Sequence, residues 1–596
     1  MRTIIFIYLI FYSSIVFNQE VNRLEDSPYP SSNISDSLFI CYENDFTNSE
    51  LLTLQVLQGI LSKTKPRIYR DMGTGSSIWL QDLKDNYGVK TDSSYSGNLY
   101  GLVEKFKSEI NGYVLYDDEC KNHAISICSA VNGIPVLENQ QVFFDSLNIP
   151  FIDDARNYSL QSLMNNYEES FSKKACIYQK EEKSTFLGDY SVFLKAPHFF
   201  ESPHHPITNS ILSNMDENSI LLGWGDDEYQ TISMASSHSI MTHPADYAAN
   251  LSVLTNFNSG INQKNHNIDI DENDSSHYVC FVMSDGDNIQ WLLNWFITDN
   301  RWFGNTNRGK ADIGWTISPA LAELAPTVMN KIYSESANTL EGKDYFIASP
   351  SGIGYIFPEK YNALISQCEL LNRYMEKSDL GIVNIIGNKL DDLSLYPYLS
   401  QPNIDGVFYY DYANYSIHNG EILFVNNKPV VTARYNLWGG FESSYSLASE
   451  INNLPKDCHS KNGYSLIPVH NWSNSVDSIL NCIDLFNENI TVVAPDEFIH
   501  LIKKNLAPQN QALHLANPNP TDSKSKIEYQ ANVNDIVDIK VYGVNGCEYY
   551  PPITINSLSN NLTQIMLDFE MLSKGKYLIK IVNSNNQTEV IPLVKQ

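Results

Sequence analysis

Tyr278-Val-Cys-Phe-Val-Met-Ser-Asp-Gly-Asp-Asn-Ile-Gln-Trp291 is an apolar run that ends in a turn carrying two carboxylates. Val279 to Met283 has no polar alternation, the pattern of a strand buried on both faces as in a parallel sheet. Ser284-Asp-Gly-Asp287 is turn chemistry, and Ile289 to Phe296 reads as an amphipathic helix start. Strand, acidic turn and helix in that order place Asp285 and Asp287 at the carboxyl edge of an α/β sheet, where ligands and catalytic groups gather. The plainer reading is that both carboxylates only cap the helix and bond turn amides.

Outward from this stretch the rhythm repeats. Strand patterns at 278–283, 312–317, 345–348, 381–386, 406–410, 429–432, 464–469 and 490–493 alternate with helical segments. Eight such units predict a (β/α) barrel-like domain over 275–505, with an open doubly wound sheet as the competing topology. In a barrel the residues after each strand share one mouth. Here they are Asp285 and Asp287, Ser318, Ser349 to Tyr355, Asn388, Asp411, Arg434 and Tyr435, His470 and Asn471, and Asp496 and Glu497. Six of the eight tryptophans (Trp291, Trp295, Trp302, Trp315, Trp438, Trp472) fall in the same region. Aromatic faces beside carboxylates and amides suit sugar rings, which stack on π-systems while their hydroxyls take polar partners. Trp315, inside a strand, is read as core.

The flanks differ from this region. Residues 36–270 contain an N-terminal α/β domain and a connecting region, with strand patterns at Ser37–Cys41, Arg67–Tyr69, Ile110–Tyr116 and Gly133–Leu137. No glycine-rich phosphate loop opens a helix there. Ser219 to Trp224 is a further apolar strand running into Gly225-Asp-Asp-Glu228, a second acidic turn read mainly as a solvated helix cap, with a second functional edge facing the first as the alternative. His238 and His243 are read as ordinary surface or core histidines. Beyond Asn517-Pro-Asn-Pro-Thr521, short alternating strands predict a small β-sandwich over 515–596.

The 596 residues leave room for about three or four domains. With 69 acidic against 40 basic residues the formal charge is −29, which argues against nucleic acid and anionic lipid as partners. Residues 1–18 have one positive charge and a short apolar core, the pattern of a secretory signal peptide. No later run of about 18 apolar residues predicts a transmembrane segment. The nine cysteines are too dispersed for a disulfide framework or a metal knuckle.

Ser349-Pro-Ser-Gly-Ile-Gly-Tyr-Ile-Phe-Pro358 resembles the motif of the GxGYxYP family, a glycoside-hydrolase-like group, with Phe357 where the pattern has Tyr. Phe281 to Trp291, Gly314 to Pro319 and Leu324 to Val328 are similar to that family's catalytic-type domain, and Thr53 to Asp71 to its separate N-terminal domain. The tail, through Val541-Tyr542, Gly575-Lys-Tyr577 and Pro592 to Gln596, resembles the sorting domain of type IX secretion. That resemblance implies a Bacteroidota-type cell, passage through the periplasm, contact with the secretion machinery and delivery to the surface or medium.

The leading expectation is a glycoside hydrolase with paired carboxylates. Asp285 or Asp287 would face Asp411 or Glu497 from another strand end, because an acid and its partner must flank the bond. Trp291, Ser349, Ser351, Gly354, Tyr355, Arg434, His470 and Asn471 are the candidate substrate contacts, and this chemistry needs no cofactor or metal. A metal-dependent carbohydrate deacetylase using the acidic turn and His470 is one alternative, although Gly314 to Pro319 lacks the paired histidines it needs. A surface glycan-binding protein without catalysis is the other.

Overall fold

Every residue of His277–Met283 is buried, and its apolar run serves both faces, with Val279, Phe281 and Met283 in one apolar cluster and Tyr278, Cys280 and Val282 in another. The computed structural model describes residues 20–264, 268, 275–507 and 516–596, apart from 532, 544–545, 560–561 and 585–587. The expected signal peptide at 1–18 lies outside the described residues.

His277–Met283 stands inside a nine-stranded sheet. The path from one end is Ile422–Val425, Lys428–Thr432, Gly406–Asp411, Ile382–Gly387, Asp344–Ala348, Ile313–Ile317, His277–Met283 and Tyr464–Val469. All pairings are parallel except the Ile422–Val425 to Lys428–Thr432 hairpin. The eight predicted strands are present, but they do not form a regular ring in chain order. Ile490–Val492 pairs with the amino end of His277–Met283, from His277 to Val279, and not with Tyr464–Val469. The other edge of His277–Met283 is already filled by Tyr464–Val469 from Tyr278 to Met283. The sheet is curled, since the chain just past Thr432 forms parallel bridges from Ala433 to Leu466 and from Leu437 to Val469.

The ninth strand, Ile422–Val425, was not predicted. Its turn is Asn426-Asn427, both with positive φ (49° and 59°), the backbone that two-residue hairpin loops demand and that asparagine tolerates.

Residues 36–256 hold three separate parallel sheets. Ser37–Tyr42 lies between Ile68–Asp71 and Lys90–Asp92. Gly112–Tyr116 lies between Gly133–Leu137 and Phe151–Asp154. The third sheet runs Ile240–His243, Ser219–Gly223, Ala175–Tyr178, His198–Phe199. Strands as short as His198–Phe199 leave little periodicity to read. The tail forms two four-stranded antiparallel sheets, whose inward residues, among them Ile527, Val541, Ile565, Ile579 and Leu593, share one apolar cluster. No disulfide joins any two described cysteines, and eight of the nine are buried, where they act as small apolar residues.

The segment before the first sheet is tied to the core by one buried carboxylate. Glu323 accepts from Leu24 N at 2.7 Å, from Tyr374 Oη at 2.6 Å, from Lys377 Nζ at 2.7 Å and from Ser27 Oγ. Burial pushes this carboxyl up, but Lys377, Ser27 and Tyr374 together hold it below the ordinary glutamate value. A depressed carboxylate stabilises the fold above its unfolded value and loses that contribution as pH falls through its folded one. Glu323→Ala leaves Lys377 facing a buried gap and is expected to cost about 3 kcal/mol at pH 7, with less difference from wild type at pH 3. Urea unfolding followed by tryptophan fluorescence at both pH values checks this, and an equal cost at the two would show that the ion pair is not its source.

Candidate active site

The turn after His277–Met283 is built by close approach. Ser284 N donates to Val469 O at 3.0 Å, continuing the ladder one residue. Gly286 N then donates to Thr316 Oγ1 at 2.9 Å, and that hydroxyl donates to Met283 O at 2.9 Å. A Cβ on Gly286 would sit 1.9 Å from the Thr316 carbonyl oxygen, so only glycine fits there. Asp285 has φ of 68°, a left-handed backbone that Asp and Asn adopt more readily than other side chains. The helix Ile289–Asn294 is capped by Asn288, whose Oδ1 accepts from Trp291 N at 3.1 Å. Neither aspartate is therefore used as the cap.

Both aspartates face a cavity of about 310 Å³. Its walls include Trp224, Tyr355, Tyr410, Tyr415, Trp438 and Trp472. Asp285 accepts from Trp472 Nε1 at 3.0 Å and from Ser284 Oγ. His470 stacks on Trp438 with ring centroids 3.8 Å apart and planes at 8°, and its Nδ1 is 2.8 Å from Ser473 Oγ. Asn471 fixes the turn from beneath, with its Nδ2 donating to Ser284 O and its own carbonyl accepting from Trp302 Nε1 at 2.9 Å.

The opposite wall comes from the third small sheet. Ser219–Gly223 leads to Trp224 and the second acidic turn, whose three acids take different tasks. Asp226 pairs with Lys180. Asp227 caps the helix Glu228–Ser237 by accepting from Gln230 N at 2.8 Å. Glu228 reaches the cavity and accepts from Tyr355 Oη at 3.0 Å. Thr242 and Tyr355 exchange backbone hydrogen bonds of 3.1 and 2.9 Å, stitching the Ser349–Pro358 motif to that sheet. Gly354 sits at the seam, where a Cβ would lie 2.9 Å from His243 Cε1 and 3.0 Å from Met241 Cβ. Phe357 is fully buried among the rings of Tyr229, Tyr355 and Tyr412, so its ring serves packing.

Burial drives the electrostatics. Asp287 is 8% exposed, and desolvation, with the charges of Asp285 and Glu228 added, pushes its carboxyl well above the ordinary aspartate value. Glu228 is open to solvent within the cavity. Its surroundings and the charges of Asp285 and Asp227 still raise it, against the lowering effect of the Tyr355 hydroxyl. Burial lowers His470, opposed by Asp285. Among the described residues, no three His, Cys, Asp or Glu side chains are grouped to hold a metal ion.

Of the residues predicted from sequence, Asp285, Asp287, Tyr355 and His470 line the cavity. Trp291 lies behind its wall, edge-on to Trp302 and 5.8 Å from the Trp472 ring. Ser349 and Ser351 are buried in the motif, and Ser351 O accepts from Tyr398 Oη at 3.0 Å. Asp411 ends its strand outside the cavity lining, accepting from Ala413 N at 3.0 Å, with Oδ2 3.8 Å from His418 Nε2. Glu497 is at the other edge of the sheet, ion-paired with Lys343, which immediately precedes Asp344–Ala348. It cannot reach the aspartates, because Ile490–Val492 pairs only with the amino end of its neighbour. Arg434 also points to that edge, donating from Nε to Tyr464 O at 3.0 Å.

Sequence reasoning held Glu228 only within the less favoured reading of its turn, placed Trp438 and Trp472 in the region of the mouth, and did not single out Trp224, Tyr410 or Tyr415 as site residues. The signal for Glu228 was its place after an apolar strand, but nothing in the sequence aligns that strand with the other acidic turn. A larger cavity of about 650 Å³ lies at the amino edge, lined by Tyr345, Ile382, Asp405 and Lys503 among others. Of the groups predicted at the strand ends it contains only Asp496.

Five family models match the chain. "GxGYxYP putative glycoside hydrolase C-terminal domain" matches 275–503, "GxGYxYP_N 1st domain" 37–108, "GxGYxYP_N second domain" 110–171, and "GxGYxYP third domain" 173–256. "Secretion system C-terminal sorting domain" matches 516–595. A solved structure described as a "putative hydrolase from Bacteroides thetaiotaomicron" is 31% identical, with a TM-score of 0.74, over 82% of this chain and 99% of that one. A glycoside hydrolase family 107 endo-fucoidan hydrolase (8% identical, TM-score 0.15, 50% of this chain and 55% of that one) is too distant to bear on the fold. The same holds for an endo-β-1,4-mannanase from Thermotoga petrophila (6% identical, TM-score 0.11, 94% and 98%). No curated protein matches the chain. The four consecutive family domains from 37 to 503 place this chain in the GxGYxYP family, and its tail is a secretion sorting domain.

Proposed function

We propose that this protein is a glycoside hydrolase, exported through its sorting tail, that cleaves an oligo- or polysaccharide in the cavity between the curled sheet and the third small sheet. The observation that carries the proposal is the convergence of Asp285, Asp287 and Glu228, from two different sheets, on one aromatic-walled cavity. Two carboxyl groups on facing walls are what cleavage of a glycosidic bond requires.

Asp287 is the proton donor in this reading, since burial keeps its carboxyl protonated well above the usual range. Glu228 faces it as the ionised partner, held by the Tyr355 hydroxyl. The leaving oxygen takes the Asp287 proton as its bond to the anomeric carbon breaks. Glu228 acts on the other side of that carbon, on a water or as nucleophile, and the anomer released distinguishes the two. Asp285, fixed by Trp472, binds sugar hydroxyls beside them. The metal-dependent deacetylase gains nothing from this geometry, because the described residues offer no grouped ligand set.

Asp287→Asn and Glu228→Gln should each lower kcat by about a hundredfold to ten-thousandfold, while sugar binding persists. Asp285→Asn keeps a side chain suited to the left-handed backbone and should weaken binding more than turnover. Steady-state kinetics on a panel of chromogenic glycosides and oligosaccharides, with titration calorimetry on the impaired variants, is the measurement. Sugar bound but never cleaved by wild type would leave a glycan-binding protein in place of the hydrolase.

The raised carboxyls also set a pH signature. Activity needs Glu228 ionised and Asp287 protonated, so the active window lies above the ordinary carboxylate range of about 4. For stability the sign is the reverse of the Glu323 case. Folded Asp287 holds a proton that the unfolded chain releases, so stability falls as pH rises from the unfolded value toward the folded one. Asp287→Asn should therefore raise the melting temperature by about 2 °C at pH 7 and by less at pH 4. Scanning calorimetry at both pH values decides, and equal shifts would mean that the carboxyl is not raised.

A further inference from the structure

Among the described residues the cavity is bounded by three carboxyl side chains, Glu228, Asp285 and Asp287, and by no lysine or arginine. His470, the imidazole in the lining, is shifted by burial toward its neutral form. Lysines on neighbouring segments are engaged elsewhere. Lys180 pairs with Asp226, Lys183 with Asp246, and Lys360 donates to Tyr229 Oη at 3.0 Å and to Ser233 Oγ at 2.7 Å. Even with Asp287 protonated, two negative charges face the cavity without a cation among its walls.

A second observation points to an uncharged hydroxyl-rich ligand. Tyr410 lines the cavity, is 1% exposed, and its hydroxyl has no hydrogen-bond partner. A buried hydroxyl without a partner costs free energy that a ligand hydroxyl can recover. Asn384 and Gln290 add neutral amides to the same lining. At about 310 Å³ the volume is at the small end of ligand pockets, on the order of one or two sugar rings.

Resting on the carbohydrate reading above, we infer that this cavity takes the terminal one or two rings of an uncharged or amine-bearing glycan and excludes uronic-acid and sulfated sugars. A carboxylate or sulfate carried by the substrate meets like charge at Asp285 and Glu228 and finds no counter-charge in the described lining, and such mismatches are a common source of discrimination. An ammonium group gains where the acidic group loses. A hydroxyl in its place is indifferent to charge and reads only the amide and phenol contacts.

The test uses the full mature chain, wild type and Asp287→Asn, with matched methyl hexopyranosides of gluco, galacto and manno configuration. Each configuration is offered with a 6-hydroxyl, a 2-amino, a 6-carboxylate or a 6-sulfate group. Titration calorimetry should find the best ligand among the neutral or amino members, with its uronate and sulfate counterparts at least about tenfold weaker. Raising salt should weaken amino-sugar binding and leave neutral binding unchanged. Asp285→Asn should narrow the gap between neutral sugar and uronate several-fold by removing one of the repelling charges. Tightest binding by a uronate or a sulfated sugar, or no binding by any member, overturns the inference. Hydrolysis of an acidic glycan would overturn it while leaving the hydrolase intact. Neutral sugar bound without turnover would do the converse.

Discussion

Two backbone hydrogen bonds between Thr242 and Tyr355 join the third small sheet to the mouth of the curled one, and with the bonds from Phe357 N to Ser236 Oγ and from Tyr361 Oη to Ser239 O they make the seam that encloses the cavity. Without it Glu228 and Trp224 would belong to a separate α/β unit, and Asp285 and Asp287 would face solvent. The seam needs Gly354, because a Cβ there would press against the His243 ring, Met241 Cβ and the Thr242 carbonyl oxygen. It also needs the motif to leave Asp344–Ala348 in an irregular path, which Ser351 allows at φ of 54° and Gly352 at 122°. The glycine-rich motif is thus a device for joining two sheets, and Tyr355 adds a chemical function by donating to Glu228.

Bringing three carboxyls to one aromatic wall is unfavourable for folding. Desolvation and mutual repulsion both oppose ionisation of Asp287, and Asp285 is held in a left-handed backbone. Such costs persist only where the surroundings over-determine the geometry. Here the surroundings are Gly286 against Thr316, Asn471 under Ser284, and the mutually packed rings of Trp291, Trp302 and Trp472. Glu323 shows the contrast elsewhere in the same chain, because there cation and hydroxyl partners offset burial and the carboxylate is depressed.

The strands of the main sheet were legible because a parallel strand buried on both faces must be largely apolar, and His277–Met283 and Tyr464–Val469 are, apart from His277 and Ser465, which pair with each other at 2.8 Å. The two acidic turns were legible for the same reason, since each follows such a strand. What could not be read was adjacency. Glu497 and Asp411 follow strands as Asp285 does, yet Glu497 lies at the opposite edge because Ile490–Val492 stops at Val279. Glu228 was discounted because its turn also carries a true cap, Asp227, and sequence does not distinguish which acid in a cluster caps and which is free. The tryptophans divide in a similar way. Trp315 was readable as core from its place inside a strand, and it donates to Asp344 at 2.8 Å. The convergence of Trp438 and Trp472 on one cavity depends on the curl of the sheet.

The sorting tail packs onto the main sheet's helices through few groups. Lys576 and Lys580 pair with Glu369 and Asp392 at 2.7 and 3.7 Å, while Leu578 and Val590 join the main apolar cluster. Partly exposed ion pairs contribute at most about 1 kcal/mol each, so the apolar contacts weigh more in the docking than the ion pairs. The tail's own cluster, with Ile527, Ile565, Ile579 and Leu593 fully or nearly fully buried, is the larger share of its stability. A module that is stable within itself and only lightly attached can carry an address for export without shaping the cavity. Each carboxyl and aromatic group of the proposed site lies within the four family domains, between Trp224 and Trp472, so any selectivity for sugar must be built there and not in the tail.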